Sequence, residues 1–277
     1  MTHSRGNTAA AARNVRLIET YDEWMRTCNW SPRTVNARRQ FAAHRLDAWG
    51  LDGFTDANIQ AYMSNPDFSR WTRSTYDAHL RAFVSWLVAA RLLTTPPTYI
   101  DHKSPKRPKS KPRPLSDDDV RRVLELASGE TRDMFLLGLL QGLRAFEIAK
   151  IAGEDVTPRT LYVVGKGSRE DHLPVHDMIW EMAQRYPRQG PWFVKPSGAA
   201  YSSGDVSSAI TVVFRALGIA GSSHRARHTY GTRLLRHGVN IREVQTLMRH
   251  ASLETTAAYV GIDEDSLQTQ INRLPAA

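Results

Sequence analysis

The second half of the chain carries side chains suited to phosphate chemistry: Arg144, Lys166, His224, Arg227, His250 and, after all of them, Tyr259. A guanidinium keeps its charge at any ordinary pH and presents a planar fork that matches two phosphate oxygens at once. A phosphodiester under attack gains charge on its non-bridging oxygens, and such a fork can meet that charge without a metal. A tyrosine hydroxyl titrates near 10, so it needs a base to act as a nucleophile at neutral pH, and histidine is the side chain whose own titration lies closest. Rival chemistries lack their residues. The chain has no His-Glu-x-x-His, no paired Cys-x-x-Cys and no glycine-lysine loop in Walker spacing. Gly165-Lys166-Gly167 lacks the upstream glycine and following helix of a nucleotide loop, and Ser85 and Ser168 stand in no nucleophile-elbow context. The acid run Asp117-Asp118-Asp119 sits where a helix should begin, at the positive end of its dipole, so no metal site and no cofactor are expected.

Taken singly, each of these residues has a bland explanation: an arginine in a salt bridge, a capping or core histidine, a lysine in a turn, a packed tyrosine. Their arrangement in three boxes changes the reading. Gln141-Gly-Leu-Arg-Ala-Phe-Glu-Ile148, His224-Arg-Ala-Arg-His-Thr-Tyr-Gly-Thr232 and Leu247-Met-Arg-His-Ala-Ser-Leu-Glu-Thr-Thr-Ala-Ala-Tyr259 stand in that order. They resemble the first-arginine motif, the His-x-x-Arg box and the nucleophile box of tyrosine site-specific recombinases of the phage-integrase type. The resemblance covers Leu115 to about Ile262 well, and the first domain more weakly through its helical pattern and Ser31-Pro-Arg-Thr34. It implies that Arg144 and Arg227 grip the scissile phosphate and that His224 is the general base for Tyr259. Lys166, at the tip of a hairpin, would protonate the departing 5′ oxygen, and His250 would hydrogen-bond the phosphate and hold Tyr259 in reach. Attack would store the bond as a 3′-phosphotyrosyl link, which a 5′ hydroxyl from another strand can reverse without ATP. Glu147 matches the family's acidic position as support, and His228 is expected to be structural. Two departures stand out: Arg249 occupies a place where the family usually has glycine, and Arg225-Ala226 replaces the commoner Asp-Leu.

The elements that must position these residues fall into two domains. His102 to Pro114 is rich in proline and carries six lysines or arginines, so it reads as an extended basic linker. It could be a spacer or a strap crossing a phosphate backbone. Before it, apolar residues recur at helical spacing, among them Leu17, Tyr21, Trp24, Val35, Phe41, Leu46, Leu80, Phe83 and Leu87. Ser31-Pro32 starts a helix, Gly50 closes it and Thr55-Asp56 opens another, giving four helices over 13–101, with 1–12 expected to be disordered. After the linker, Ser116 caps a helix, and a very apolar helix is predicted to run from about Thr131 past Gly142 through Ile148. Thr160–Val164 and His172–Val175 predict a hairpin. Helices follow at about Asp177–Tyr186, Asp205–Leu217, Arg225–His237 and Ile241–Arg249, with a short last one near Leu253–Val260. The fold class is mainly α with a small β-sheet, and the resemblance implies a two-domain clamp in which 115–277 is catalytic.

A net charge of +9 and a pI near 9.9 favour a polyanionic partner. Phosphate contacts are expected from Arg33, Arg38, Arg39, Arg70, Arg73 and Arg81 on the first domain and from Lys103, Lys106, Arg107, Lys109 and Lys111 on the linker, though a solvated face competes for each. No apolar run is long enough for a membrane helix, no signal peptide is evident, and the single Cys28 fits a reducing compartment, so a cytoplasmic protein is expected. The resemblance implies double-stranded core attachment sites as partner, a homotetramer on DNA from a monomer when free, and an accessory directionality factor. Phage-type integration and excision is the leading reading. A plasmid or chromosome dimer resolvase, a type IB topoisomerase and a non-catalytic sequence-specific DNA binder are its rivals. With only about 13 residues before the first expected helix, no arm-binding domain is expected. The tail after Tyr259 is expected to dock on a neighbouring protomer, and its Ala276-Ala277 end to serve as a degradation signal.

Overall fold

The computed structural model describes residues 3–104, 112–165, 169–250 and 256. The chain divides into two units, Met1–Ser110 and Lys111–Ala277. Among the described residues, no helix is long and apolar enough to cross a membrane.

The first unit is built from α1 (His3–Thr27), α2 (Pro32–Trp49), α3 (Asp56–Met63) and α4 (Arg70–Ala89). The first helix begins at His3 and so reaches into the segment 1–12 expected to be disordered. The cause is local: beyond Gly6 the segment holds four consecutive alanines, Ala9 to Ala12, the strongest helix formers, and no proline interrupts it. Ser31 caps α2 by accepting the Thr34 backbone N–H, Pro32 sits at the first helical position where its missing N–H costs nothing, and Gly50 ends the helix at φ 65°. Thr55 and Ser69 cap α3 and α4 in the same way.

The buried faces of these helices meet in an aromatic core. Tyr21 packs edge-on against Phe83 at 4.8 Å and tilts against Trp86 at 5.1 Å, while Phe54 meets Phe83 at 5.3 Å. Each such ring contributes roughly 1.5–3 kcal/mol by leaving water. After α4 the chain makes a 3-10 turn, Thr98–Asp101, that is bolted to the helices. Asp56 accepts the backbone N–H groups of Thr98 and Tyr99 at 2.9 and 2.8 Å, which holds its carboxyl below the usual carboxylate range.

The second unit contains α5 (Asp117–Leu126), α6 (Gly129–Leu140), α7 (Ala145–Ile148), the antiparallel hairpin of β1 (Thr160–Val164) and β2 (Glu170–Pro174), then α8 (Asp177–Ala183), α9 (Ser203–Ala216), α10 (His224–Arg236) and α11 (Ile241–Leu247). The hairpin register pairs Thr160 with Pro174 and Val164 with Glu170. Helix α6 is buried over Asp133 to Leu139 and forms the centre of this core. Its buried Asp133 is matched by Arg185 and the Tyr186 hydroxyl, both at 2.8 Å. Helix α10 can lie against α6 because Gly138 offers only hydrogen there: a Cβ at that position would stand 3.0 Å from Ala226 Cβ.

The predicted continuous helix from Thr131 to Ile148 is broken. Helix α6 stops at Leu140, the chain turns through Gly142 at φ +62°, and the separate short α7 begins at Ala145. The break has two causes, a left-handed backbone that only glycine adopts without strain and the Tyr230 ring pressed where a side chain would be. The last predicted helix, near Leu253–Val260, falls outside the described residues except for Thr256, which is helical and buried. Gly142→Ala is therefore expected to lower unfolding stability by about 2–4 kcal/mol, from backbone strain and the ring collision together. Urea titration followed by circular dichroism measures this, and a loss under 1 kcal/mol would count against the role given to Gly142.

Candidate active site

The short helix α7 begins on Arg144, whose backbone is extended (φ −81°, ψ 154°). Glu147, three residues on, reaches back so that its Oε2 accepts the Arg144 backbone N–H at 2.7 Å, the acid half of a capping box. The same carboxylate takes Arg144 Nη1 on Oε1 at 3.0 Å. A third donor arrives from the far end of α11: Arg249 Nη2 donates to Glu147 Oε2 at 2.6 Å. The Glu147 side chain is 0% exposed and that of Arg249 is 3%, while Arg144 keeps 27% of its side chain open to solvent. A buried carboxylate is tolerated only when charge and hydrogen bonds surround it, and here two guanidiniums and one amide do so.

Arg227, on α10, is the largest of the fully buried side chains, with 1% exposure. It donates through Nη1 to the Gly142 carbonyl and through Nη2 to the Met248 carbonyl. One guanidinium thus joins the turn before α7 to the end of α11. Just past that carbonyl, Arg249 lies at φ +52°. For a residue with a Cβ this left-handed backbone costs about 1 kcal/mol or more. The chain then reaches His250, whose Nδ1 pairs with the Thr256 hydroxyl at 2.9 Å and whose backbone is held by both the Gln245 carbonyl and the Gln245 side chain.

His224 opens α10 and lies within the field of Arg227, Arg144 and Glu147. Its ring meets that of His228, one turn on, edge-on at 4.8 Å. Partial desolvation, then the positive charge of Arg227 and Arg144, holds the His224 imidazole below its usual range. Burial first and the surrounding arginines second push His250 down to about 4, and burial with His224 and Arg227 does the same to His228. At neutral pH these imidazoles are uncharged, so each offers one nitrogen as acceptor and one N–H as donor. The patch is cationic and partly dry, with neutral proton-transfer groups beside it, and so suits an anion.

Of the six residues expected to carry the chemistry, Arg144, His224, Arg227 and His250 are drawn into one neighbourhood by these contacts. Lys166 and Tyr259 lie outside the described residues; Gly165 and Arg169, which bracket the hairpin tip, are joined by the Gly165 N–H to Arg169 carbonyl bond at 2.7 Å. Among the described residues no group of His, Cys, Asp and Glu converges as a metal-binding set. The feature that sequence reasoning undervalued is the link from Arg249 to Glu147. Its only signal was an arginine where glycine is usual, and a partner 102 positions away cannot be seen in that.

The expected DNA-contacting residues divide by geometry. Arg33, Arg39, Arg70 and Lys103 are exposed. Arg38 stacks over the Trp30 ring at 3.9 Å. Arg73 is committed inward, donating to the carbonyls of Met63, the last residue of α3, and of Asn65 and Phe68 after it. Arg81 is also committed: its Nε reaches both oxygens of the buried Asp77 at 3.0 Å and its Nη1 the Ile100 carbonyl at 2.8 Å. These two hold the fold of the first unit. Lys106, Arg107, Lys109 and Lys111, like the C-terminal tail with its expected docking and degradation roles, fall outside the described residues.

Comparison with known proteins adds an independent finding. Residues 113–265 match the family model described as the phage integrase family. A protein of Myxococcus xanthus named tyrosine recombinase XerC is 30% identical over 83% of this chain and 84% of its own length. The protein of the same name from Brucella suis is 30% identical over 60% of this chain, which spans only 59% of that relative. A lambda integrase dimer bound to a core site superposes with a TM-score of 0.72 over 90% of this chain and 99% of that one, at 14% identity, a likeness of fold.

The depressed histidines set a pH dependence. In the unfolded chain they titrate near 6.5, so between that value and about 4 the unfolded state binds more protons. Their stabilising contribution is complete above about pH 6.5 and is lost as pH falls through that window. The melting temperature is therefore expected to drop between pH 7 and pH 4.5, and the drop should be several degrees smaller in a His228→Asn/His250→Asn variant. Equal drops in the two proteins would contradict the assignment.

Proposed function

This chain belongs to the phage integrase family, and on that premise we propose that it is a tyrosine recombinase, which cuts and rejoins double-stranded DNA at a specific site through a 3′-phosphotyrosyl bond to Tyr259, without metal or ATP. The observation that carries the reading is the clasp of Arg227 on the carbonyls of Gly142 and Met248, which brings Arg144, His224 and His250 around one patch. The two guanidiniums take the non-bridging oxygens of the scissile phosphate and meet the charge that grows there as the Tyr259 oxygen attacks. His224, neutral at physiological pH, accepts the phenolic proton, and His250 donates a hydrogen bond to the phosphate. Lys166 gives a proton to the 5′ oxygen as it leaves. Rejoining is the same path reversed with a 5′ hydroxyl from another strand.

Two domains closing on DNA, a homotetramer assembled on two core sites from free monomers, and an accessory directionality factor complete the reading. Exposed Arg33, Arg39, Arg70 and Lys103, with the basic linker, supply phosphate contacts that position the duplex and make binding salt-dependent. Within the family, integration and excision of phage type is our first reading. The likeness to proteins named XerC favours weighing a second, the resolution of plasmid or chromosome dimers.

The test uses a pool of nicked duplexes with randomised cores, incubated in EDTA with wild-type protein and with Tyr259→Phe, followed by sequencing of DNA that stays attached after denaturation. Wild type is expected to enrich one sequence, joined to protein at its 3′ phosphate, and Tyr259→Phe to yield background alone. No enrichment by wild type, or equal enrichment by both, would refute the reading. Recombination that requires two different copies of the recovered site favours integration, and recombination between identical copies favours dimer resolution.

A further inference from the structure

Arg249 carries a cost that its surroundings do not explain by packing alone. Its backbone is left-handed, and its guanidinium is buried with two donors, Nε and Nη1, that find no hydrogen-bond partner among the described residues. Among the described residues its guanidinium donates through Nη2 to Glu147 Oε2, the oxygen that also receives the Arg144 backbone N–H. A glycine would remove all of these costs at once. It would also leave Arg144 as the sole guanidinium against a fully buried carboxylate.

We infer that Arg249 is a positioning residue for strand cleavage: by holding the charge of Glu147 from the α11 side, it leaves the Arg144 guanidinium free to engage the scissile phosphate. This rests on the reading of function given above. A buried carboxylate attracts whichever cations it can reach, and the attraction is strong where water is absent. With Arg249 in place, Glu147 is balanced by a guanidinium that cannot leave, and Arg144 needs to keep only one bond, Nη1 to Oε1, while its partly exposed side turns to the anion. The orphaned donors fit this role, because the side chain is retained for its charge more than for its hydrogen bonds. Asp171 on β2 lies near enough for Arg249 to feel its charge, alongside Arg144 and Tyr230. The same arm links the residue before His250 to α7, so one side chain sets both the state of Arg144 and the place of the histidine turn.

The experiment uses the duplex recovered by covalent capture and full-length Arg249→Gly, Arg249→Lys and the double variant Arg249→Gly/Glu147→Gln. Single-turnover cleavage is measured for each, and non-covalent DNA affinity is measured with each change placed in a Tyr259→Phe background. Arg249→Gly is expected to slow cleavage at least tenfold while affinity stays within about threefold. Neutralising Glu147 in the double variant should recover most of that rate, and Arg249→Lys should stay within threefold of wild type. A role in stability alone predicts the reverse for the double variant, which loses a further buried ion. Cleavage by Arg249→Gly within twofold of wild type, or a double variant no faster than Arg249→Gly at equal affinity, overturns the inference and leaves the function standing. Should Arg249→Gly fail to fold, Arg249→Lys decides: a tenfold loss at intact affinity overturns it. A wild type that forms no covalent product overturns inference and function together.

Discussion

A guanidinium with no access to water calls for hydrogen-bond acceptors, and Arg227 places that demand on the turns around it. It is met with backbone carbonyls, Gly142 from one side and Met248 from the other. Those carbonyls can point inward only because the chain turns sharply at both places, through a left-handed glycine and just ahead of a left-handed arginine. The two turns present Arg144 and His250, and α10, which bears Arg227, opens with His224. The site is thus tied together by one buried cation that two carbonyls hold. The hairpin is only two strands.

Much of this architecture can be read from local sequence, since its signals act over a few residues. Ser31-Pro32, Thr55, Ser116 and Gly50 mark helix ends through bonds within one turn, and the alternation from Thr160 to Val164 marks a strand with one face buried. The three boxes are legible for the same reason: each is a short run on one element. What cannot be read is where the chain satisfies charge at a distance. Arg73 and Arg81 look like surface cations on a helix, yet one serves carbonyls at and after the end of α3 and the other a buried aspartate and a carbonyl 19 positions on. Gly142 is ambiguous in the sequence because a glycine inside an apolar run is tolerated in many helices. The Tyr230 ring, 88 positions later, helps to make it a stop.

The fate of Arg81 also shows how the first unit is finished. Asp77 is nearly inaccessible, and Arg81 and the Tyr99 hydroxyl at 2.5 Å complete its shell. Burial and the aspartate push the Tyr99 phenol well above its usual range, which keeps it a hydrogen-bond donor. With Asp56 holding Thr98 and Tyr99, the last turn before the basic segment is fixed to α3 and α4 by polar bonds at both ends. The basic segment therefore begins from a fixed point.

The other end of that segment is also anchored. Where the chain enters the second unit, Arg225 holds the carbonyls of Arg113 and Pro114, and the Thr229 hydroxyl accepts the Leu115 backbone N–H at 2.8 Å. Both residues stand on α10, within one turn of Arg227 on either side. A pull along the incoming chain is therefore delivered first to the helix that carries His224 and Arg227, before it can spread through the core. Tension in the segment that enters at Arg113 is thus borne by the turn of α10 on which His224 and Arg227 stand.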